Sequence, residues 1–420
     1  MGFILSEQGK KIIDTARERK GWNRQSSGWA QQALVSEAAL KRFWMRKSIN
    51  PDFFKSICNA VGVNWEEVID YQENNKICLK EDCDDMPDVN IFYGREQELA
   101  NLEQPILQNR YRLVALSGAK GIGKTALVAK LTEKVKSDFE YFTWRSLNYS
   151  AAPSLSEVLS GLIKFLSSEE NPALSSNVDT LIAELLKIFS EHRVLLVFDA
   201  WENVLRYDEI TRDRQKDYEK YGELLRLIGE RKHQSCIVIT TGEESPELSS
   251  LTASQAVNLT RLSGLNFEAG LEILKLKELK FTQEQAKKLI NEDYCGNPLQ
   301  LLHICGHIQT VFAGQLTQFQ IAHTIIYPLQ VETAINEHCK SLSGLDAEIL
   351  QIIATESIPI DYEKLRLQIK NEPKVSNSAL QTALSSLFMR SLIERSSQGS
   401  EILYSLQPVV RKCVRKFFEI

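Results

Sequence analysis

Gly118-Ala-Lys-Gly-Ile-Gly-Lys-Thr125 fits the pattern G-x-x-x-x-G-K-[ST] at every fixed position. This pattern is typical of a loop whose backbone amides surround a polyphosphate. The apolar run at residues 111–116 predicts a buried strand before the loop, and residues 126–135 predict a helix after it. Strand, loop and helix stand in the order that the pattern requires, so we expect this chain to bind a nucleoside triphosphate or diphosphate.

Each position of this loop has a physical role in the prediction. The glycines permit a tight turn, and the N-terminus of the following helix adds partial positive charge where a phosphate would sit. Lys124 is expected to reach the outer phosphates, and Thr125 is expected to hold a magnesium ion. We therefore assign the nucleotide contacts to Gly118, Ala119, Lys120, Gly121, Ile122, Gly123, Lys124, Thr125 and Ala126.

A second part of the predicted site follows the hydrophobic run at residues 193–198, which ends in the carboxylate Asp199. In P-loop proteins an Asp at the end of a neighbouring strand holds the magnesium ion, directly or through water. A helix N-cap is the alternative role for Asp199. Residue 200 is Ala, so the adjacent second acid of many P-loop ATPases is absent. Glu202 is then the candidate for orienting water, or else an acid at the start of a helix.

Hydrophobic periodicity also divides the chain into segments of different type. Strand-like runs and helical patterns alternate over residues 91–258, which predicts an α/β P-loop NTPase domain with a parallel sheet. Its candidate strands are residues 111–116, 141–145, 193–198 and 235–240. The other segments predicted are a small all-α domain (1–75), a polar linker (76–90), a helical bundle (259–328) and a winged helix of three helices and a hairpin (329–420).

Size and composition limit the class of protein. The 420 residues are 43% hydrophobic, which is ordinary for a globular chain of several domains. No apolar run reaches the roughly 18 residues of a membrane-spanning helix. The eight cysteines show no C-x-x-C spacing, so we expect reduced thiols rather than zinc or disulfides. These features predict a cytoplasmic protein without a membrane partner.

Residues 91–420 resemble the NB-ARC domain of STAND signal-transduction NTPases, particularly the kind found in large cyanobacterial WD-repeat proteins. The resemblance rests on ordered motifs. They are Phe92-Tyr-Gly-Arg95, the loop at 118–125, Phe142-Thr-Trp-Arg-Ser146, Leu195-Leu-Val-Phe-Asp199 and Gly296-Asn-Pro-Leu299. The resemblance implies that Phe92, Tyr93, Gly94 and Arg95 border the adenine and that Pro298 contacts the base or ribose.

The resemblance also implies a function. Such proteins are switches in which ATP or ADP with magnesium sets the arrangement of the domains, and activation often brings self-association or a protein partner. Two motifs depart from the family. Thr240-Thr241-Gly242 stands where T-[ST]-R is common, and Leu406-Gln407-Pro408 stands where Met-His-Asp is common. Because a phosphate-sensing arginine and a histidine are missing, we expect slow hydrolysis or none. No repeat array is visible within the 420 residues.

The N-terminal segment carries a separate prediction. Residues 1–60 contain 11 Lys and Arg against 5 Asp and Glu, in a chain whose net charge is −5. They resemble the helix-turn-helix fused in front of many such proteins, with duplex DNA as the partner of the second helix. The candidate DNA contacts are Ser36, Lys41, Arg42, Arg46 and Lys47. Glu37 and Ala38 stand where base-reading residues are expected, so a nucleotide-stabilised protein scaffold without DNA binding is the alternative.

Overall fold

The computed structural model describes residues 3–24, 27–47, 49–70, 79–108, 111–148, 154–167, 174–204, 212–252, 254–322, 324–369, 375–399 and 401–420. The chain divides into two compact units, Met1–Leu79 and Lys80–Ile420, called unit 1 and unit 2 below. Among the described residues, no helix is both long enough and apolar enough to cross a membrane. The cysteines within these ranges are free thiols.

Unit 1 is helical. Ser36 and Asn50 cap two of its helices, since each side-chain oxygen accepts a hydrogen bond from a first-turn amide. The apolar faces meet in a core that contains the buried rings of Trp29, Phe43 and Phe54. The helices are α1 (Glu7–Arg19), α2 (Ser27–Gln32), α3 (Glu37–Trp44) and α4 (Pro51–Val61).

The end of unit 1, residues 64–70, forms no α-helix. Only a 3₁₀ turn forms, at Trp65–Glu67. The backbone then turns to pair with the N-terminal segment, where Ile69 bridges Leu5 and the Asp70 amide donates to the Ile4 carbonyl at 2.7 Å. Backbone groups that are used across the unit cannot also continue a helix.

Unit 2 is built on a six-stranded sheet in which every pairing is parallel, as the alternating pattern predicts. Three central strands are buried along their whole length, because helices cover both faces of a parallel sheet. The strand order is β1-β3-β4-β5-β2-β6. The strands are β1 (Lys80–Asp82), β2 (Leu113–Ser117), β3 (Tyr141–Ser146), β4 (Val194–Asp199), β5 (Cys236–Thr241) and β6 (Val257–Arg261).

The two edge strands of the sheet extend beyond the bounds predicted for the α/β domain, residues 91–258. Lys80–Asp82 lies inside the predicted linker 76–90, yet it pairs with the first three residues of β3. Residues 76–78 of that linker lie outside the described residues. Val257–Arg261 runs past the predicted domain end at 258 and pairs with β2. A charged three-residue strand and a half-buried strand have no apolar run, so tertiary pairing alone makes them strands.

Helices flank this sheet and follow it in the chain. The hydrophobic core on one face of the sheet includes Leu159, Leu185 and Leu224, each on a different helix. The helices of this part are α5 (Glu96–Leu107), α6 (Lys124–Val135), α7 (Leu155–Leu166), α8 (Val178–Glu191), α9 (Arg212–Glu230) and α10 (Pro246–Leu251).

The rest of unit 2 is mainly helical and ends in a small antiparallel sheet of order β7-β9-β8. One hydrophobic cluster runs from Leu265 to Val414, so the predicted segments 259–328 and 329–420 share a core. The helices are α11 (Phe267–Leu276), α12 (Gln283–Lys287), α13 (Pro298–Phe312), α14 (Leu316–Ile321), α15 (Leu329–Lys340), α16 (Gly344–Thr355), α17 (Tyr362–Gln368), α18 (Asn377–Met389) and α19 (Pro408–Phe418); the strands are β7 (Ile360–Asp361), β8 (Glu394–Gln398) and β9 (Glu401–Ser405).

Candidate nucleotide-binding site

The loop at residues 118–125 lies at the topological switch point of the sheet. Strand β2 is hydrogen-bonded to β5 on one side and to β6 on the other, although neither strand is next to β2 in the chain. At its carboxyl end, Ser117 is level with Thr241 of β5 and Arg261 of β6. In open α/β sheets, ligands bind outside the carboxyl ends of the strands at such a point. The fold therefore places the glycine-rich loop where a ligand is expected.

The conformation of the loop explains its glycines. Gly118, Gly121 and Gly123 have φ of +146°, +80° and +100°, which L side chains rarely adopt. Helix α6 begins at Lys124, and no side chain among the described residues caps it. An uncapped helix N-terminus beside a glycine turn leaves amide donors for an anion such as a phosphate.

Lys124 lies inside the loop, with 8% of its surface exposed. Its Nζ donates to the carbonyl oxygens of Gly118, at 2.7 Å, and Ala119, at 3.2 Å. Burial lowers the pKa of this ammonium, while the charges of Glu202 and Asp199 act in the opposite direction. A polyphosphate on the same loop would supply the negative charge that a buried ammonium lacks, which is the role predicted for Lys124.

Asp199 forms the second part of the site. Its Oδ1 accepts hydrogen bonds from the hydroxyls of Thr125, at 2.8 Å, and Thr240, at 2.5 Å. Burial raises the pKa of this carboxyl, and the two hydroxyl hydrogen bonds oppose that shift. The alternative N-cap role is not what the side chain does, because the following 3₁₀ turn has no side-chain cap.

The same residues fit a magnesium ion. A hydroxyl and a carboxylate are hard oxygen ligands, and the ion usually takes one or two such groups together with phosphate oxygens and water. Thr125 and Asp199 already lie within hydrogen-bonding distance of each other beside the loop. They are the two residues that the sequence predicts as metal ligands.

Glu202 faces the site because of the backbone at Ala200. Ala200 has φ of +62°, a left-handed conformation that turns the chain sharply after β4. Glu202 then accepts a hydrogen bond from the Gly242 amide at 2.8 Å. The negative charge of Glu202 opposes the effect of burial on the pKa of Lys124 and adds to the effect of burial on the pKa of Asp199. Glu202 lies in the first turn of the 3₁₀ segment Trp201–Asn203 and also lines the pocket at the loop, so this position is compatible with both predicted roles.

Within the Phe92–Arg95 motif, the Arg95 side chain binds backbone carbonyls at the phosphate loop and after β6. Its guanidinium donates to the carbonyls of Ile122, at 3.1 Å, and Ser263, at 2.7 Å, and it pairs with Glu98 at 2.7 Å. Only 4% of the residue is exposed. Arg95 therefore contacts the backbone of the loop from its buried side. Phe92, Tyr93 and Gly94 are partly exposed.

The Gly296–Leu299 motif touches the tip of the loop. The Asn297 side chain donates to the Lys120 carbonyl at 3.0 Å, and the Leu299 amide donates to the Gly121 carbonyl at 3.3 Å. Pro298 lies close to Gly123, with 3.8 Å between its Cγ and the place where a Cβ on Gly123 would be. The motif thus lies against the phosphate loop.

A backbone contact holds this motif in place. The Leu265 amide donates to the Gly296 carbonyl at 2.7 Å. A Cβ on Gly264 would lie 1.9 Å from the Cys295 carbonyl oxygen, and a Cβ on Gly296 would lie 2.3 Å from the Leu265 carbonyl oxygen. The segment after β6 and the motif therefore meet main chain against main chain.

Two residues that the sequence analysis missed lie near the site: Glu244 in the loop after β5 and Arg261 at the end of β6. Glu244 accepts from the Ser117 hydroxyl at 2.5 Å, and its amide donates to the Met389 carbonyl at 3.0 Å. Arg261 donates to the Phe388 carbonyl at 3.0 Å and to Ser391 Oγ at 3.1 Å. These contacts join the sheet to residues 329–420, called the C-terminal segment below. No local pattern marks them, because their partners lie more than a hundred residues away.

The C-terminal segment forms one wall of a pocket at the phosphate loop. On the sheet side, Ala119, Lys120, Glu202 and Gly242 line this pocket. Facing them are Gln300 of α13 and residues of the C-terminal segment: Val331, Ala334, Ile335, His338, Arg390, Ser391, Leu392, Gln407 and Val410. Gln407, which stands where the resemblance of the sequence predicts a histidine, also lines this pocket.

The predicted DNA contacts belong to unit 1. Ser36 caps α3 through its side chain, and Lys41, Arg42 and Lys47 are exposed. Arg46 is engaged within the unit, where it pairs with Glu7 at 2.9 Å and Asp70 at 2.7 Å and donates to the Leu5 carbonyl. Its guanidinium holds the ends of unit 1 together, so the exposed basic set is smaller than predicted.

Comparison with known proteins agrees with this geometry. Residues 91–253 match the family model of the AAA ATPase domain. The chain is 31% identical over 458 residues to an uncharacterized WD repeat-containing protein of Nostoc sp., an alignment that covers 97% of this chain and 35% of the relative. The chain thus spans about a third of that relative's length.

Solved structures show a similar fold. A Walker-type ATPase of Pyrococcus abyssi superposes with a TM-score of 0.50 at 16% identity, over 77% of this chain and 96% of the other. A STAND protein with a tetratricopeptide repeat sensor from Pyrococcus horikoshii gives a TM-score of 0.38 at 20% identity, over 79% and 43%. The second likeness is too weak to support an argument. The first likeness shows the fold of unit 2, an α/β domain with a parallel sheet followed by a helical region.

Proposed function

We propose that this chain is an ATP/ADP-dependent switch of the NB-ARC/STAND type. One observation carries the proposal: the phosphate loop and the C-terminal segment line the same pocket, so a nucleotide in the loop faces both. A ligand can shift a domain equilibrium only if it contacts the alternative arrangements differently. A nucleotide in this pocket meets that condition, because its outer phosphates lie at the boundary between the sheet and the C-terminal segment.

In this proposal the adenine nucleotide binds with magnesium. Lys124 and the amides of residues 118–126 hold the phosphates, and Thr125 with Asp199 holds the metal ion. A bound magnesium ion would neutralise charge on the phosphate oxygens. Pro298 lies beside the loop, and Phe92, Tyr93 and Pro298 are proposed to contact the adenosine part.

Hydrolysis is proposed to be slow or absent. Fast phosphoryl transfer needs a positioned water and cations on the transferring group. Glu202 is the candidate for positioning water, but it also accepts the Gly242 amide, and no arginine follows β5. The catalytic assignment to Lys124, Asp199 and Glu202 therefore describes a weak ATPase at most.

The finer architecture is part of the proposal. We assign the winged helix to helices α16 to α18 together with the three-stranded sheet β7-β9-β8. We assign the helical bundle to α11 to α14. We propose that the C-terminal winged helix responds to the nucleotide. Self-association or a protein partner would follow activation, as the resemblance implies.

The direct test is to identify the nucleotide that the protein carries. Full-length protein is purified in magnesium, denatured, and the released nucleotide is separated by chromatography. A switch stored in its resting state is expected to release ADP in amounts close to one per chain. Calorimetry with added ADP and a non-hydrolysable ATP analogue then gives both affinities. If no nucleotide is released and neither ligand binds, the proposal is wrong.

The output is proposed to be DNA-linked and to run through α3 of unit 1. Lys41, Arg42 and Lys47 are exposed cations there, and each phosphate contact releases counterions when DNA binds. Replacing Lys41 and Arg42 by Gln is expected to weaken duplex binding and to reduce the slope of log K against log salt by about 2.

The competing proposal is a nucleotide-stabilised protein scaffold. Glu37 and Ala38 are exposed at the start of α3, where they disfavour base reading. If the full-length chain shows no salt-dependent duplex binding in filter or fluorescence assays, the scaffold function is favoured. The double replacement of Lys10 and Lys11 on α1 serves as the charge-matched control.

A further inference from the structure

Arg390 lines the pocket at the phosphate loop and has no role in the nucleotide site described above. The sheet side of this pocket carries Lys120, Glu202 and Gly242, the residues next to the outer phosphates in the proposed binding mode. On the opposite wall, Arg390 follows α18 and His338 lies on α15. Both bring basic groups from the C-terminal segment toward the phosphate loop.

Arg390 is held in the present arrangement by a carboxylate. Its Nε lies 3.2 Å from Glu243 Oε1, and its Nη1 lies 3.2 Å from Ser341 Oγ. The Arg390 side chain is 20% exposed, so the ion pair is largely shielded from solvent. His338 Nδ1 lies 3.8 Å from the other oxygen of Glu243. One acid thus faces two basic side chains of the C-terminal segment.

Glu243 is itself fixed at the end of β5. The Thr241 hydroxyl donates to the Glu243 carbonyl at 2.5 Å, and the Gly242 amide is bound to Glu202. Residue 242, where the resemblance expects an arginine, is glycine. The strand end therefore carries an acid that pairs with Arg390, and the cation comes from the C-terminal segment.

We propose that Arg390 is the residue that distinguishes ATP from ADP, by leaving Glu243 to bind the terminal phosphate. The proposal rests on the nucleotide-switch function above. Guanidinium forms strong paired hydrogen bonds with both carboxylate and phosphate, so the two anions compete for one side chain. ADP lacks the γ-phosphate, the terminal phosphate of ATP, and in its presence Arg390 stays on Glu243.

This exchange also links recognition to domain arrangement. In the described arrangement, the Glu243–Arg390 pair joins the loop after β5 to the C-terminal segment. When Arg390 turns to a phosphate, that connection is lost and the junction is weakened. ATP would therefore favour a different position of the C-terminal segment, whereas ADP would preserve the described one.

The test compares two nucleotides on the full-length chain, with calorimetry in magnesium and three variants. Arg390→Gln is expected to bind the non-hydrolysable ATP analogue about tenfold more weakly or worse, since hydrogen bonds to charged groups are strong, and to bind ADP within about twofold of wild type. Glu243→Gln frees Arg390 and is expected to bind the ATP analogue more tightly, again with little change for ADP. Arg226→Gln removes an exposed arginine on α9 and is expected to change neither affinity.

The outcomes separate this inference from the proposed function. If wild type binds neither nucleotide, the function and the inference both fail. If wild type binds both, and Arg390→Gln leaves their affinity ratio unchanged or lowers both affinities equally, only the assignment of Arg390 is wrong. Should Arg390→Gln fail to fold, Glu243→Gln decides: an unchanged or lower affinity for the ATP analogue overturns the inference.

Discussion

Two loops follow neighbouring strands at the same edge of the sheet, and they are built in opposite ways. The loop at 118–125 after β2 depends on backbone: three glycines with positive φ and an uncapped helix. The loop at 242–244 after β5 depends on side chains, with Glu243 and Glu244 reaching the C-terminal segment and the end of β2. The first is suited to holding any polyphosphate, whereas the second is suited to reporting which one is bound.

The strongest way to break this comparison is at the first loop. Lys124→Ala removes the ammonium that lies inside the loop and is expected to weaken binding of ADP and of an ATP analogue alike, by about 100-fold or more. Calorimetry on the purified chain gives both affinities. Lys130→Ala removes a partly exposed lysine of the same helix and should bind as wild type. Unchanged affinity in Lys124→Ala would show that the loop does not hold the phosphates.

A smaller effect is expected when Arg261, which lies at the end of β6 beside Glu244 of the second loop, loses its contacts with the C-terminal segment. Arg261→Met deletes hydrogen bonds to Phe388 and Ser391 and a contact to Glu244, while it keeps a long side chain against the Phe388 ring. We expect the free energy of unfolding to fall by about 1–3 kcal/mol. Urea unfolding followed by circular dichroism measures this, with Arg226→Gln as the exposed control. An unfolding midpoint equal to that of wild type would show that these contacts do not stabilise the junction.

The smallest effect concerns Asp199, which accepts hydrogen bonds from Thr125 in the first loop and from Thr240 at the end of β5. Burial raises the pKa of its carboxyl, so its contribution to stability is present at low pH and is lost as pH rises through the raised pKa. Asp199→Asn cannot ionise. Without nucleotide and metal, we expect this variant to be more stable than wild type at neutral pH, by about 1 kcal/mol.

The pH dependence makes this prediction specific. The advantage of Asp199→Asn should shrink as pH falls toward about 4, the ordinary range of an Asp carboxyl. Urea midpoints at several pH values in EDTA measure the difference. The same variant is expected to lose the magnesium dependence of nucleotide binding. A stability difference that stays constant with pH would mean that the buried charge is not its cause.

The two loops also differ in how far the sequence predicts them. The first is a local pattern, and β2, β4 and β5 are mostly apolar runs, so the parallel sheet and the positions of Lys124, Thr125 and Asp199 follow from short stretches of chain. The second consists of pairs such as Glu243 with Arg390. Acidic and basic residues of this kind are frequent on any surface, and only the folded chain brings these two together.

Similar reasons explain the other differences. β1 is a charged segment that becomes a strand because Tyr141–Ser146 offers a free edge for its three residues. The exposed basic set on unit 1 is smaller than expected because Arg46 turns inward to Glu7 and Asp70. In both cases tertiary contacts decide the outcome, and neither hydrophobic periodicity nor charge counting registers them.

The main-chain contact between Gly264 and Gly296 has a consequence for variation. A single methyl group at either position would collide with a carbonyl oxygen, at 1.9 Å and 2.3 Å. In a saturation library selected for folded protein, both codons should return glycine alone, whereas Gly161 and Gly344, which have open space around them, should tolerate alanine. Chain geometry, and no property of the ligand, would then keep two of this chain's glycines unchanged.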